Sequence, residues 1–186
     1  SNMKVIELSP GGGWYTEILA NYLHEPGILI AAHFDKDSNV EYFKKSREKF
    51  EQKIASGPMY ANVEIVNLSS SFAEEESVDA VLTFRNLHNW LGPQMDSIFA
   101  NSYKALKPGG IFGVVEHRAN KGTSIKNMKK SGYVSEEHAI MVAKRHGFTL
   151  VAKSEINANK KDTKDYPKGV WTLPPNLRLK TIDKEK

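Results

Sequence analysis

Three short stretches hold the residue types that do chemistry at close range. Glu7-Leu8-Ser9-Pro10-Gly11-Gly12-Gly13 sets three glycines behind a carboxylate. Arg85-Asn86-Leu87-His88-Asn89-Trp90 and Glu116-His117-Arg118 gather cations, imidazoles and a second carboxylate. Glycines let a backbone turn sharply and approach a ligand closely, and a helix that follows points free N–H groups into the loop. Two ligand classes fit such a loop. A dinucleotide wants Gly-x-Gly-x-x-Gly, but Gly11 and Gly13 are followed by Trp14-Tyr15-Thr16, so the third glycine is missing. Glu7 is also out of place beside a pyrophosphate and suits a cationic ligand. In the two later stretches, His88 or His117 can act as a base, and Arg85 or Arg118 can hold an anionic group. Trp90 can form a wall, and Glu116 is costly to bury unpaired. The competing reading makes His88 and His117 hydrogen-bonded loop histidines and Glu116 a carboxylate that ties down His117.

These residues need elements to position them. Lys4 to Leu8 reads as a strand and Trp14 to Leu23 as a helix with Tyr15, Ile18, Leu19, Tyr22 and Leu23 on one apolar stripe. Pro26-Gly27 breaks that helix. Strands follow at Ile28 to Ala32, Val63 to Val66, Val78 to Phe84 and Ile111 to Glu116. Helices are expected from a Ser38 cap to about Ser56, over Pro93 to Leu106 with Ile98, Phe99 and Leu106 inward, and from a Ser135 cap to about His146. Lys107-Pro108-Gly109-Gly110 reads as a turn. Phe148 to Ile156 alternates like a strand, and Val170 to Leu173 reads as a last one. Strand and helix alternate, so the fold class is α/β, a doubly wound, Rossmann-like, mostly parallel sheet. Ligands bind such a sheet at its strand C-terminal edge. A polar loop without a helix joins the final two strands, so the last is expected to run antiparallel.

The chain has 186 residues and 40% hydrophobic content, enough for one domain with a real core, read as residues 4–175. Residues 1–3 read as a tag remnant and start, and 176–186 as a polar basic tail. No apolar run approaches a membrane span, and no signal peptide is visible. Cysteine is absent, which excludes disulfides and thiolate metal sites and fits a cytoplasmic enzyme. The net charge of +4 comes largely from Lys121, Lys126, Lys129, Lys130 and the tail Lys180, Lys184 and Lys186. Scattered lysines without interleaved aromatics read as a solvated surface, so no nucleic-acid partner is expected. His33, Asp35, His88, Glu116 and His117 match no ligand spacing, so no metal is expected. His24, His138 and His146 read as surface residues.

Val5 to Gly13 resembles motif I of class I S-adenosylmethionine-dependent methyltransferases: two hydrophobics, an acid, a hydrophobic and Gly-x-Gly-x-Gly. Glu7, Gly11 and Gly13 match, and Ser9 replaces the first glycine. Asp79 to Phe84 with Asn86-Leu87-His88 resembles the family's fourth-strand segment. Ala105-Leu106-Lys107-Pro108-Gly109-Gly110 with Ile111 to Val115 resembles its Leu-Lys-Pro-Gly-Gly turn and fifth strand. The order and spacing are the family's. Asp162 to Pro175 resembles the end of a poorly characterised bacterial branch. The resemblance implies S-adenosylmethionine as cofactor. Glu7 then orients the loop or meets the methionine ammonium, and Ser9, Pro10, Gly11, Gly12 and Gly13 wrap the amino-acid part, with Tyr15 near it. The family's ribose-binding acid falls at His33 by counting, so Asp35 is expected to fill that role. Leu68 and Ser69 would border the adenine, and Asn86 would line the far side.

The sulfonium's methyl group is already electrophilic, so a base is needed only for a protonated acceptor. His88, Glu116 and His117 are the candidates for catalysis on a small-molecule acceptor. Two alternatives stay open: a non-catalytic domain binding S-adenosylmethionine or its product, and a nicotinamide-dependent enzyme. A homodimer is admissible. The family's helical cover before the first strand is absent here, so a truncated chain or a partner-supplied cover is expected, with weak cofactor binding by the isolated chain.

Overall fold

A computed structural model describes residues 1–23, 25–174 and 176–179. His24, Pro175 and the tail lysines from Lys180 on lie outside the described residues. The chain divides into two compact units, Ser1–Phe84 with Ser97–Val115, and Arg85–Asp96 with the residues from Glu116 on.

The first unit is a five-stranded sheet in the order β3-β2-β1-β4-β5. Its strands are β1 (Lys4–Leu8), β2 (Ile28–His33), β3 (Val63–Asn67), β4 (Val78–Phe84) and β5 (Leu106–Val115). Every pairing is parallel, so the expected antiparallel final strand is not formed. Central apolar runs such as Ile28–His33 are buried on both faces, as a parallel sheet covered by helices requires. Three helices belong to this unit's sequence: α1 (Trp14–Leu23), α2 (Glu41–Ile54) and most of α4 (Pro93–Ala105). Val5, Ala20, Leu23, Leu29, Tyr60 and Ala80 form one core cluster.

Three local expectations are corrected in this unit. Helix α1 buries Thr16, Ala20 and Leu23, while Ile18 and Tyr22 are exposed. Thr16 turns inward to bond Glu7, which rotates the buried stripe by about one residue, or ~100°. Helix α2 begins at Glu41 without a side-chain cap. Ser38 is used instead in the preceding turn, where its hydroxyl accepts the Val40 N–H (3.2 Å). Helix α4 stops at Ala105, and Lys107–Gly110 is an irregularity inside β5: Val78 pairs with Leu106 but Ala80 pairs with Ile111.

The second unit holds α3 (Leu87–Trp90), α5 (Ile125–Ser131), α6 (Glu136–Arg145) and a 3-10 turn over Gly169–Thr172. The Ser135 hydroxyl caps α6 by accepting the His138 N–H (3.2 Å), and Gly147 follows with φ +93°. Phe148 to Ile156 is not a strand. Val151 and Ile156 are exposed, and the segment is tied down by Lys153–Glu136 (2.7 Å) and Arg118–Glu155 (2.8 Å) ion pairs. Val170 to Leu173 is not a strand either. Gly169, at φ +57°, bends the chain into the 3-10 turn, and Val170 packs with Ala119 and Tyr133. A Cβ at Gly169 would overlap the Ser131 carbonyl, so only glycine fits this approach.

Candidate functional site

The glycine loop leaves β1 and enters α1. The Ser9 N–H donates to the Ala32 carbonyl (2.8 Å), and the Gly13 N–H donates to the Pro10 carbonyl (2.9 Å). Ser9 has φ +54°, and Gly11 and Gly13 have φ +58° and +78°. A serine therefore holds the left-handed conformation for which the first glycine of the motif is suited. Cβ atoms at Gly11 or Gly12 would meet nothing within 4 Å, whereas one at Gly13 would stand 3.0 Å from the Phe50 ring. The outer loop backbone is thus open to a ligand, and its base is packed.

Glu7 is 1% exposed and accepts the Thr16 hydroxyl at 2.6 Å. Burial pushes its carboxyl up to about 7, with Thr16 and the Lys53 ammonium opposing. It anchors the start of α1 to β1. Tyr15 stacks on Phe84 at 3.8 Å and 7° between planes, with Trp14 edge-on to Tyr15. Trp14 itself is exposed.

His33 supports the loop instead of occupying a ligand position. Its Nδ1 accepts the Phe34 N–H (2.8 Å), which leaves Nε2 to donate to the Gly11 carbonyl (3.1 Å). Burial lowers its pKa, consistent with this neutral tautomer. Asp35 is only partly buried, and its carboxylate accepts the hydroxyl (2.5 Å) and the N–H (3.3 Å) of Ser69. Leu68 is buried and donates its N–H to the His33 carbonyl (2.7 Å). The sequence offered no sign of Arg47. It is 6% exposed and donates to the Phe34 and Val66 carbonyls (3.0 and 3.4 Å) and to Asn67 Oδ1 (3.2 Å). It thereby clamps the ends of β2 and β3. Its cross-strand partners are invisible to local periodicity.

The second unit brings His88, Glu116 and His117 together. Glu116 Oε2 lies 3.2 Å from His88 Nδ1 and 3.4 Å from the His88 N–H, and Oε1 accepts the His117 N–H (2.8 Å). Both side chains of the His88–Glu116 pair are under a tenth exposed. With Nδ1–H donating to the carboxylate, Nε2 is the ring nitrogen left to face a further partner. Trp171 packs edge-on against His88 at 5.7 Å. Burial lowers the His117 pKa, with Glu116 opposing, and its ring meets Tyr133 at 5.9 Å. Asn86 lies immediately before α3, and its carbonyl accepts the Asn89 N–H (2.9 Å).

Four flanking residues differ from expectation. Trp90 is 3% exposed and packs inward. Arg118 is engaged by Glu136 and Glu155. His146 bonds Asp96 (2.9 Å), and His138 Nε2 is buried without a hydrogen-bond partner among the described residues. Among those residues, no group of three or more His, Asp or Glu side chains could hold a metal ion.

The comparisons bear on both units unequally. A family model described as a methyltransferase domain matches residues 6–114. Similar solved structures include a SAM-dependent methyltransferase from Aquifex aeolicus, at TM-score 0.64 and 15% identity, over 82% of this chain and 75% of that one. An arsenic(III) S-adenosylmethionine methyltransferase from Chlamydomonas reinhardtii has TM-score 0.64 and 16% identity, over 81% of this chain and 53% of that one. The cyclase SpnF has TM-score 0.64 and 15% identity, over 81% and 53%. The chain thus spans about half the length of the latter two. At these identities the likeness carries the fold alone. No curated protein matches significantly. The family match is different in kind, because it runs from β1 through the glycine loop and β4 to β5 and takes in more than half of the chain. By that match the chain belongs to the methyltransferase domain family, as an enzyme whose cofactor is S-adenosylmethionine.

Proposed function

We propose that the chain methylates a small molecule, with the first unit carrying the cofactor and the second handling the acceptor. The open backbone at Gly11 and Gly12 fits S-adenosylmethionine, and Gly13 marks where the loop closes against Phe50. Ser9 to Gly13 would hold the amino-acid part, Asp35 and Ser69 the ribose and adenine side, and Tyr15 the loop's entrance. Leu68 supports this side through its bond to His33. The bound cofactor supplies a methyl group already activated on a sulfonium sulfur, so positioning does much of the work.

What the chain must add is a place for the acceptor's proton. The observation that carries this reading is the Glu116 carboxylate on His88 Nδ1. It fixes the ring so that Nε2 would be the atom to take a proton from an acceptor oxygen or nitrogen. Glu116 is a positioning residue here, and His117, kept neutral by burial, is the second imidazole of the site.

The test is methyl transfer from labelled cofactor to a panel of small hydroxyl and amine compounds. His88→Asn is expected to lower kcat about 10²- to 10⁴-fold, with S-adenosylhomocysteine affinity unchanged. Full activity in that variant would remove His88 from the chemistry.

A further inference from the structure

We infer that a cavity in the second unit binds a small organic oxyanion, a carboxylate or a phosphate monoester, through Lys130 and Lys164. The cavity holds about 410 Å³ and is lined by Asn120, Asn127, Lys130, Tyr133 and Lys164, among others. That volume lies in the range of ~300–1,000 Å³ typical of small-molecule sites. Two lysines and two asparagines in the lining suit a small molecule with an anionic end.

Charge supports the sign of the ligand. Over residues 85–96 and 116–179 there are 14 Lys and Arg against 7 Asp and Glu, a net +7. Residues 1–84 and 97–115 carry 9 against 13, a net −4. A small anion is therefore drawn to the second unit. Lys130 and Lys164 have no carboxylate partner among the described residues. Asp165 also lines the cavity, and its carboxylate accepts the Thr163 hydroxyl.

The wall that carries these groups is fixed. Asp162 Oδ1 accepts the Tyr133 hydroxyl (2.8 Å) and the Lys164 N–H (3.1 Å), holding Lys164 at φ +63°. Tyr133 lines the cavity and also packs its ring on His117. A single buried side chain thus adjoins both the anion cavity and the imidazole cluster. Resting on the proposed acceptor-handling role of this unit, the inference makes the acceptor a small organic anion anchored by its charged end.

Benzoate and phenyl phosphate, with benzamide as the neutral control, test it by NMR on the whole chain. Both anions should shift the Asn120, Asn127 and Lys130 amide resonances and bind more weakly as salt rises. Lys130→Gln with Lys164→Gln should weaken binding about tenfold, while the paired Arg variants retain it. An unchanged thermal midpoint shows that the Gln variant is folded. Equal binding of benzamide, shifts confined to other residues, or undiminished binding by the folded Gln variant would overturn the inference. Anion binding as expected, with no labelled methyl transferred to any carboxylate or phosphate ester, would uphold the anion site and overturn the acceptor role.

Discussion

The two units of this chain solve different problems by different means. The first is regular: five parallel strands, apolar runs buried on both faces, and a loop whose shape follows from backbone conformation. The second has short helices, a 3-10 turn and an irregular segment over 148–156, and side-chain bonds organise it. Its charge is also opposite. The contrast separates a task that backbone geometry can perform, cradling a cofactor, from one that needs placed side chains. The family match ends at residue 114, where the first kind of structure gives way to the second.

Gly169→Ala is the most severe way to probe this division. A Cβ there overlaps the Ser131 carbonyl and the backbone is left-handed, so a loss of about 4 kcal/mol or more is expected. Hydrogen exchange should show protection lost around α5 and α6 and kept in β1, β2 and β4. Uniform loss across the sheet would mean that the two units unfold as one and would end the comparison.

Glu7→Gln probes the first unit through pH. The folded carboxyl titrates near 7 and the unfolded one at 4.5, so the folded chain holds an extra proton between those values. Glu7's contribution is therefore largest below pH 4.5 and is lost as pH rises through about 7, a change of about 3 kcal/mol. The glutamine variant should show a correspondingly flatter stability curve from pH 4.5 to 7 in chemical denaturation. An unaltered slope would mean that Glu7 is not the group titrating.

Smaller effects sharpen the assignment of the cofactor side. Asp35→Ala should weaken S-adenosylhomocysteine binding about tenfold by calorimetry, and unchanged affinity would exclude Asp35 from the ribose. Ser9→Gly should raise stability by about 0.5–1 kcal/mol, because glycine takes φ +54° without the Cβ penalty. A lower thermal midpoint would instead mean that the serine side chain supports the turn.

Sequence patterns were informative where burial and backbone conformation are local. The bounds of β1, α1 and β4 follow directly from apolar runs and the breaks around them. The glycine loop was legible because left-handed positions restrict residue choice. Roles set by distant partners were not: His33 reads as a missing acid until its bond to Gly11 is seen. Helix α5 was hidden by its lysines, which read as solvated charge, although Ser124 caps it and Gly132 ends it at φ +74°. Phe148 to Ile156 has the alternation of a strand, but alternation describes a surface and cannot supply a neighbour to pair with.

The stitching of the glycine loop has a kinetic meaning. Ser9 is bonded to Ala32 and Gly11 to His33, so the loop is fastened to β2 at two points and shares the rigidity of the sheet. A ligand arriving there meets a preorganised cradle. The entropy of ordering that backbone is lost when the chain folds and not at each turnover.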